Sequence, residues 1–436
     1  MRPRPIWSSG RAYIITAVVG VVGLGAIWRF PYLVGQHGGG SFLIAYVVCI
    51  AMIALPLAIV ESSAGRLVRR SPVGLFRRVI PLGGAAFGWL VIGVTIALNS
   101  YYFVVTGWTF GYALDAYQGG LRDFSEFTEG YASVWLAFAV ALLVYLVLLR
   151  GTGAIERASR MLLPLFGLII LALAVYALTL SGAGDGMQFY LRVDSEDLVD
   201  GATWRAAAGQ AFYQMGIGQG FLIAYGSYAP AGLNLARSTG VIALANVSIA
   251  FVAGLMIFPI VFTYDIAPDA GTQLAFSALP QVLVDISGGR IIGVAFFTLL
   301  FIAAFTSCIG GAAVAITALR DEANVSAQRG AAIVVGVIVL LGVPSALSFT
   351  PVGLEVGGRP VLERVDELTG GGIIIAVGLI GAAAVAWRTP LPRLTRAIRA
   401  SRYRLGPFVL HGWWVIYVAR ALPVAGLALL AAAVFR

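Results

Sequence analysis

The sequence contains no lysine; all 29 of its basic residues are arginine. Charge of either sign is sparse. Only 11% of the 436 residues are charged, where soluble domains average about 25%. A soluble domain is thereby excluded. Cysteine is nearly absent, and Cys49 and Cys308 both fall inside apolar runs, so no disulfide framework is implied. The two histidines, His37 and His411, lie far apart and show no metal-ligand spacing; packing or surface roles suit them better. No nucleophile–base constellation and no filter-like motif stands out, which argues against an enzyme and a channel. The N-terminus runs through Arg2 and Arg4 straight into an apolar run, without the short core and small-residue cleavage site of a cleavable signal peptide.

What is present is apolar: 60% of the chain, with a mean hydropathy of +0.92. Runs long enough to cross a bilayer predict helices near 12–35, 41–68, 86–117, 131–150, 159–181, 204–228, 238–264, 289–319, 328–348, 368–387 and 406–435. The expected fold is an all-α polytopic membrane protein of eleven transmembrane helices. With a cytoplasmic N-terminus, 20 of the 29 arginines fall on the inside and 16 of the 20 acids outside. The positive-inside rule then places the chain in the cell membrane, N-terminus in and C-terminus out. The net charge of +9 follows from that topology, so no nucleic-acid partner is expected. Of the two long outer loops, 182–203 is acidic. The other, 265–288, carries LAFSALPQVLVDI, too short to span and suited to a short helix over the outer face.

Three stretches depart from simple spans. In Tyr13–Gln36, Gly20, Gly23 and Gly25 weaken the middle of a helix, Pro31 removes a backbone donor, and Arg29 puts a charge in hydrocarbon. Unwound backbone at membrane depth is tolerated only where it is buried in protein or lines a cavity. Five spans later, Gly216, Gly218 and Gly220 interrupt Gly209–Tyr228 among Gln210, Gln214 and Gln219. Two glycine-broken spans in corresponding positions point to a 5+5 inverted repeat, with discontinuous helices 1 and 6 and a midplane binding site. The repeats would cover residues 1–181 and 204–387, with 406–435 an additional span. Close packing of small residues is the alternative. In the eighth span, Thr306 and Ser307 are adjacent hydroxyls, either bonded back to their own helix or available to a hard cation. Gly107-x-x-x-Gly111 reads as an internal packing face.

These motifs resemble the neurotransmitter:sodium symporter family, especially its bacterial amino-acid transporters. The likeness is carried by Trp7, Gly23-Leu24-Gly25, Trp28-Arg29-Phe30-Pro31-Tyr32, Gly38-Gly39-Gly40-Ser41-Phe42, Leu55-Pro56, Glu61 and Gly65-Arg66. It continues through Tyr101-Tyr102, Gly107-Trp108-Thr109, Gly209-Gln210-Ala211-Phe212 and Thr306-Ser307, and runs from about residue 4 to 388. It implies a sodium-coupled symporter that imports a neutral amino acid by alternating access. One sodium site would use the carbonyls of Val19, Val22 and Ala303 and the hydroxyls of Thr306 and Ser307. The other is altered: the family's asparagine is Ala26 and its hydroxyl residue is Gln214, while Asn246 remains. One retained sodium site is therefore expected, with the Gln214 amide facing the substrate.

By the same resemblance, Gly23 stands where monoamine transporters carry an aspartate, so the substrate brings its own carboxylate. Leu24, Gly25 and Tyr102 would receive it. Carbonyls of Val21, Tyr213, Gln214 and Gly216 would take the ammonium, and Leu98, Gln219, Ser307, Gly310 and Gly311 would shape the side-chain pocket for a larger or polar side chain. Arg29 would pair with Asp366 at the outer gate under Tyr213; a static scaffold carbonyl is the alternative partner for Arg29. At the inner gate Arg4 would pair with Asp321, with Trp7 and Tyr228 nearby. Glu61 would accept from unwound backbone. Tyr46, Gln210 and Asn246 match chloride-site positions, but Ala250 is neither serine nor acid, so no chloride requirement is expected. Two other readings stay open: a sodium-independent or proton-coupled carrier, and a non-transporting sensor. The sequence sets no oligomeric state.

Overall fold

A computed structural model describes residues 5–268, 276, 279–285, 288–399 and 420–427. Among these, eight helices are long and apolar enough to cross a membrane, or nine with one bent pair counted as a span. The bent pair comes first: α1 (Gly10–Val21) and α2 (Gly25–Gln36), inclined by 55°. Then follow α3 (Gly40–Val68), α4 (Gly84–Gln118), α5 (Ala132–Leu149) and α6 (Thr152–Ala177). A second broken pair, α7 (Gly201–Met215) and α8 (Phe221–Ser227), precedes α9 (Leu235–Thr263), α10 (Gly289–Ala323), α11 (Ala327–Leu347) and α12 (Val361–Arg388). Of the predicted eleventh span, 406–435, only residues 420–427 are described, so the count of eleven rests on the sequence. β-structure among the described residues is a single bridge, Glu355 to Pro360.

The two 35-residue helices, α4 and α10, pack on each other at the centre of the bundle. The apolar window of α4 is 78% buried, whereas those of α5 and α6 are only 28% buried. The first is therefore core, and the other two turn Trp135, Leu142, Leu168 and Leu171 outward, as a lipid-facing surface requires. Gly107 and Gly111 of α4 are pressed against Leu136 of α5, so this pair packs internally as expected.

The two breaks have different local causes. At the first, Val22 leaves the helix with ψ 96° after donating to the Val18 carbonyl, and α2 restarts at Gly25. At the second, Gly216, Gly218 and Gly220 all have positive φ, between 66° and 79°. That left-handed backbone costs a non-glycine residue about 1–2 kcal/mol each, so three glycines at alternate positions define the turn. Each limb of α7–α8 is too short to cross a bilayer alone.

Several boundaries differ from the sequence reading. α6 starts at Thr152 rather than 159, because Glu156 on its first turns is buried by a polar contact that hydropathy does not register. α12 starts at Val361 rather than 368, which places Asp366 on the helix. The acidic outer loop holds a helix, Ala183–Leu191, whose Tyr190 hydroxyl donates to the Phe251 carbonyl at 3.1 Å. The apolar stretch after it contains the expected short helix, at Leu279–Asp285.

α3 and α8 cross at backbone contact. A Cβ on Gly65 would lie 2.1 Å from the Ile223 carbonyl oxygen, and one on Gly226 would lie 2.3 Å from that of Ser62. We expect Gly65→Val and Gly226→Val each to destabilise the detergent-purified protein by about 1–3 kcal/mol. Gly93→Ala, with open space at its Cβ, is the control. A melting temperature unchanged in both valine variants would contradict the crossing.

Candidate functional site

The two breaks face each other across a cavity. Leu24 and Tyr102 define one end: the Leu24 N–H, freed by the end of α1, donates to the Tyr102 hydroxyl at 2.8 Å. A Cβ on Gly23 would lie 2.6 Å from both the Tyr102 and Ser307 hydroxyl oxygens, so only glycine lets these groups converge on the break. Val21, Gly23, Gly25, Leu98, Tyr102, Tyr213, Gln214, Gly216, Gln219, Ser307 and Gly311 line the cavity. Gly310 does not; it lies behind, where its Cβ would meet the Phe221 ring at 3.0 Å and Gly20 at 3.5 Å. The sequence reading missed Gly20, Thr95, Asn99 and Phe221, all of which line the cavity. Thr95 and Asn99 were discoverable. They stand seven and three residues before Tyr102 and so share its helix face.

Val19 of α1 and Thr306 of α10, two of the residues expected to hold sodium, come together where α1 lies against α10. The last carbonyls of α1 lack intrahelical partners by position. Thr306 donates its hydroxyl proton to the carbonyls of Ile302 and Ala303, at 2.9 and 3.1 Å, which leaves its lone pairs free to accept a cation. A small cavity beside them is lined by Thr16, Val19, Ser159 and Thr306 among others. The Thr16 hydroxyl there is buried without a hydrogen-bond partner among the described residues. An all-oxygen, uncharged set of this kind suits a hard monovalent cation.

Gln214 behaves otherwise than expected. Its carbonyl oxygen accepts from the Tyr46 hydroxyl at 2.7 Å and from the Gln210 amide at 3.2 Å. Its amide nitrogen donates to the Asn246 side-chain oxygen at 3.0 Å, and Asn246 donates back to the Gln214 main-chain carbonyl at 2.7 Å. The side-chain amide is thus committed to α3, α7 and α9 instead of the substrate. Gln210 also donates to the Gly25 carbonyl at 2.6 Å, which ties the network to the first break. Ala26 is fully buried. Glu61 accepts from the Gly218 N–H at 3.1 Å, placing a carboxylate oxygen at the second break.

At the outer end, Arg29 and Asp366 form no direct ion pair. Arg29 donates to the Gly370 carbonyl at 3.1 Å and its guanidinium carbon lies 4.7 Å from the centre of the Tyr213 ring. Asp366 accepts from the Tyr101 hydroxyl at 2.6 Å, and that hydroxyl lies 3.5 Å from the Tyr213 hydroxyl. The expected salt bridge is therefore replaced by a relay through Tyr101, Tyr213 and Gly370. The cause is local: the irregular turn over Glu367–Ile373 aims a carbonyl at Arg29.

At the inner end, Arg4 lies outside the described residues. Asp321 accepts from the Ser71 N–H at 2.6 Å. Trp7 donates its main-chain N–H to the Tyr228 carbonyl and its indole N–H to the Tyr225 carbonyl, at 3.0 and 3.1 Å. One contact was invisible in the sequence. Glu156 of α6 accepts from the Ser8 N–H at 2.8 Å, the Ser8 hydroxyl at 2.6 Å and Arg160 at 2.9 Å.

Two helix breaks around a cavity, a cation-compatible oxygen set and layered contacts at both ends are the features of a membrane transporter. Comparison with known proteins agrees. The family model described as "Sodium:neurotransmitter symporter family" matches residues 4–132 and 122–434. An uncharacterized sodium-dependent transporter of Haemophilus influenzae is 31% identical over 88% of each chain. Another, from Methanocaldococcus jannaschii, is 26% identical, covering 94% of this chain and 86% of its own. The crystal structure of MhsT in complex with L-phenylalanine superimposes with a TM-score of 0.88 at 30% identity, covering 98% of this chain and 99% of that one. The chain belongs to the sodium:neurotransmitter symporter family. It is a transporter of a small molecule, not an enzyme.

Glu156→Gln removes the charge that Ser8 and Arg160 share. We expect amide hydrogen exchange over residues 5–12 to rise by about tenfold, the equivalent of about 1.4 kcal/mol in a local opening equilibrium. Exchange in this segment no faster than wild type would show that Glu156 does not hold the N-terminus.

Proposed function

We propose that this transporter imports a neutral amino acid together with sodium, through one retained sodium site and without chloride. The observation that carries the single-site reading is the Gln214 amide. Its nitrogen, the positive end of the dipole, faces Asn246, an oxygen suited to a cation. Its oxygen, the negative end, takes the donors of Tyr46 and Gln210, groups suited to an anion. One neutral side chain thus satisfies both the acceptor and the donors that a bound cation and a bound anion would otherwise serve. The remaining ion ligands are Val19, Val22, Ala303, Thr306 and Ser307.

The substrate reading rests on the first break. A carboxylate near Leu24, Gly25 and the Tyr102 hydroxyl sits at the N-terminus of α2, where the helix dipole favours an anion. Among the described residues no acidic side chain lines the cavity, so the ammonium would be held by main-chain carbonyls of Val21, Tyr213, Gln214 and Gly216. MhsT, similar over nearly the whole chain, was crystallised with L-phenylalanine, which supports the amino-acid class. Alternating access would work by rocking the broken helices against the scaffold. In that motion the Trp7–Tyr225–Tyr228 layer would part on one side, and the Arg29–Tyr213–Tyr101–Asp366 layer on the other. The arginine distribution supports an inside N-terminus, and the two breaks support repeats over 1–181 and 204–387.

A proton-coupled carrier has one observation in its favour: the second oxygen of Glu61 is buried without a hydrogen-bond partner among the described residues. An imposed pH gradient that drives uptake without sodium would favour that reading.

Uptake of radiolabelled amino acids into proteoliposomes tests the main proposal. We expect uptake to vanish when choline replaces sodium, to persist when gluconate replaces chloride, and to follow sodium with a Hill coefficient near one. A coefficient clearly above one would defeat the single-site reading. Thr306→Ala and Ser307→Ala should each raise the half-saturating sodium concentration by about tenfold or more, equivalent to about 1.4 kcal/mol. Sodium dependence unaltered in both would remove α10 from the ion site.

A further inference from the structure

We propose that Asn99 is a specificity-determining residue, and that it selects amino acids whose side chain ends in a hydrogen-bonding group. The inference rests on the amino-acid reading above and names the substrate class within it.

The cavity runs along one face of α4. Tyr102 marks the end that meets the first break. Asn99 lies three residues earlier and Thr95 seven, which at 1.5 Å per residue is about 4.5 Å and about 10.5 Å down the helix axis. A substrate with its carboxylate at Tyr102 therefore points its side chain at Asn99 and Thr95. Three features make that end polar. Asn99 donates to the Thr95 carbonyl at 2.8 Å, which uses one of its two N–H groups and leaves its side-chain carbonyl for a ligand. Thr95 donates to the Gln219 main-chain carbonyl at 2.6 Å, so the hydroxyl keeps an acceptor face. Gln219 brings a second amide, which donates to the Tyr213 carbonyl at 3.3 Å.

Gly311 makes this arrangement possible. A Cβ there would lie 2.0 Å from the Asn99 amide nitrogen and 2.6 Å from its oxygen. Any larger residue at 311 would displace the amide. The chain thus has space at 311 filled by a polar side chain from the facing helix, in a position where a hydrophobic residue would have served an apolar substrate. Asn99 is only 3% exposed. A buried amide facing an apolar ligand loses hydrogen bonds that water supplied, and that loss discriminates against the ligand.

The test is competition binding to the purified full-length transporter in sodium. The probes are pairs of matched shape: asparagine against leucine, glutamine against norleucine, tyrosine against phenylalanine. We expect the polar member of at least one pair to bind about tenfold or more tighter. Asn99→Leu should lower or reverse that ratio, and Gly311→Ala should lower it by displacing the amide. Asn99→Ser, with its smaller polar group, should retain part of it. Equal or tighter binding of the apolar member in every pair with wild-type protein would overturn the inference and leave the amino-acid reading standing. So would a ratio unchanged in Asn99→Leu. If no amino acid binds at millimolar concentration, the amino-acid reading itself fails, and this inference with it.

Discussion

A helix broken inside a membrane leaves backbone donors and acceptors with no water to meet them, and each must find a partner in the protein or in a ligand. This constraint accounts for most of the buried polar residues here. The Leu24 N–H goes to Tyr102, the Gly25 carbonyl to Gln210, the Gln214 carbonyl to Asn246, the Gly218 N–H to Glu61, and the Gln219 carbonyl to Thr95. These partners come from four different helices, so satisfying the breaks also locks the bundle around them. What the side chains leave open is the binding chemistry. The last carbonyls of α1 and the start of α2 are the groups that ions and substrate would complete.

The same constraint bears on the Gln214 network. Asn246, Tyr46 and Gln210 are all essentially unexposed, and each must be paired whether or not an ion is present. An amide placed among them pairs the Tyr46 hydroxyl, the Asn246 side-chain oxygen and the Gln210 amide nitrogen without charge and without an ordering cost at each transport cycle. A permanent side chain also cannot leave, so the contacts it makes are removed from the coupling cycle. Under the single-site proposal, less ion gradient energy is coupled to each substrate, and Gly25 and α9 stay joined in every state.

The bundle was legible because hydropathy and glycine placement act over whole segments. Gly216, Gly218 and Gly220 announced the second break by type alone, and the structure places all three in left-handed backbone. The irregular parts were less legible. The start of α6 was missed because Glu156 is buried by a partner 148 residues away. For Arg29 the sequence left two partners open, Asp366 and a scaffold carbonyl, and the structure shows the second, because the irregular turn aims the Gly370 carbonyl at it. Asn99 was overlooked for a related reason: its significance depends on Gly311, more than two hundred residues later, and an empty space in one helix is invisible without the helix that fills it.

The two ends of the pathway are held differently, and the difference has a direction. The inner end is closed by several well-paired groups: two donors from Trp7 and three partners for Glu156. The outer end holds the Arg29 bond to Gly370, the Arg29–Tyr213 ring contact and the Tyr101 hydroxyl between Asp366 and Tyr213. Among the described residues, the Arg29 Nε there is buried without a hydrogen-bond partner. A charged donor left unpaired costs more than a neutral one, and opening to water would restore its partner. Under the alternating-access proposal, a ligand that draws Tyr213 inward would have to offset the cost of that unpaired donor. On this argument substrate binding and outer closure are coupled through one residue, because Tyr213 lines the cavity and also lies against Arg29.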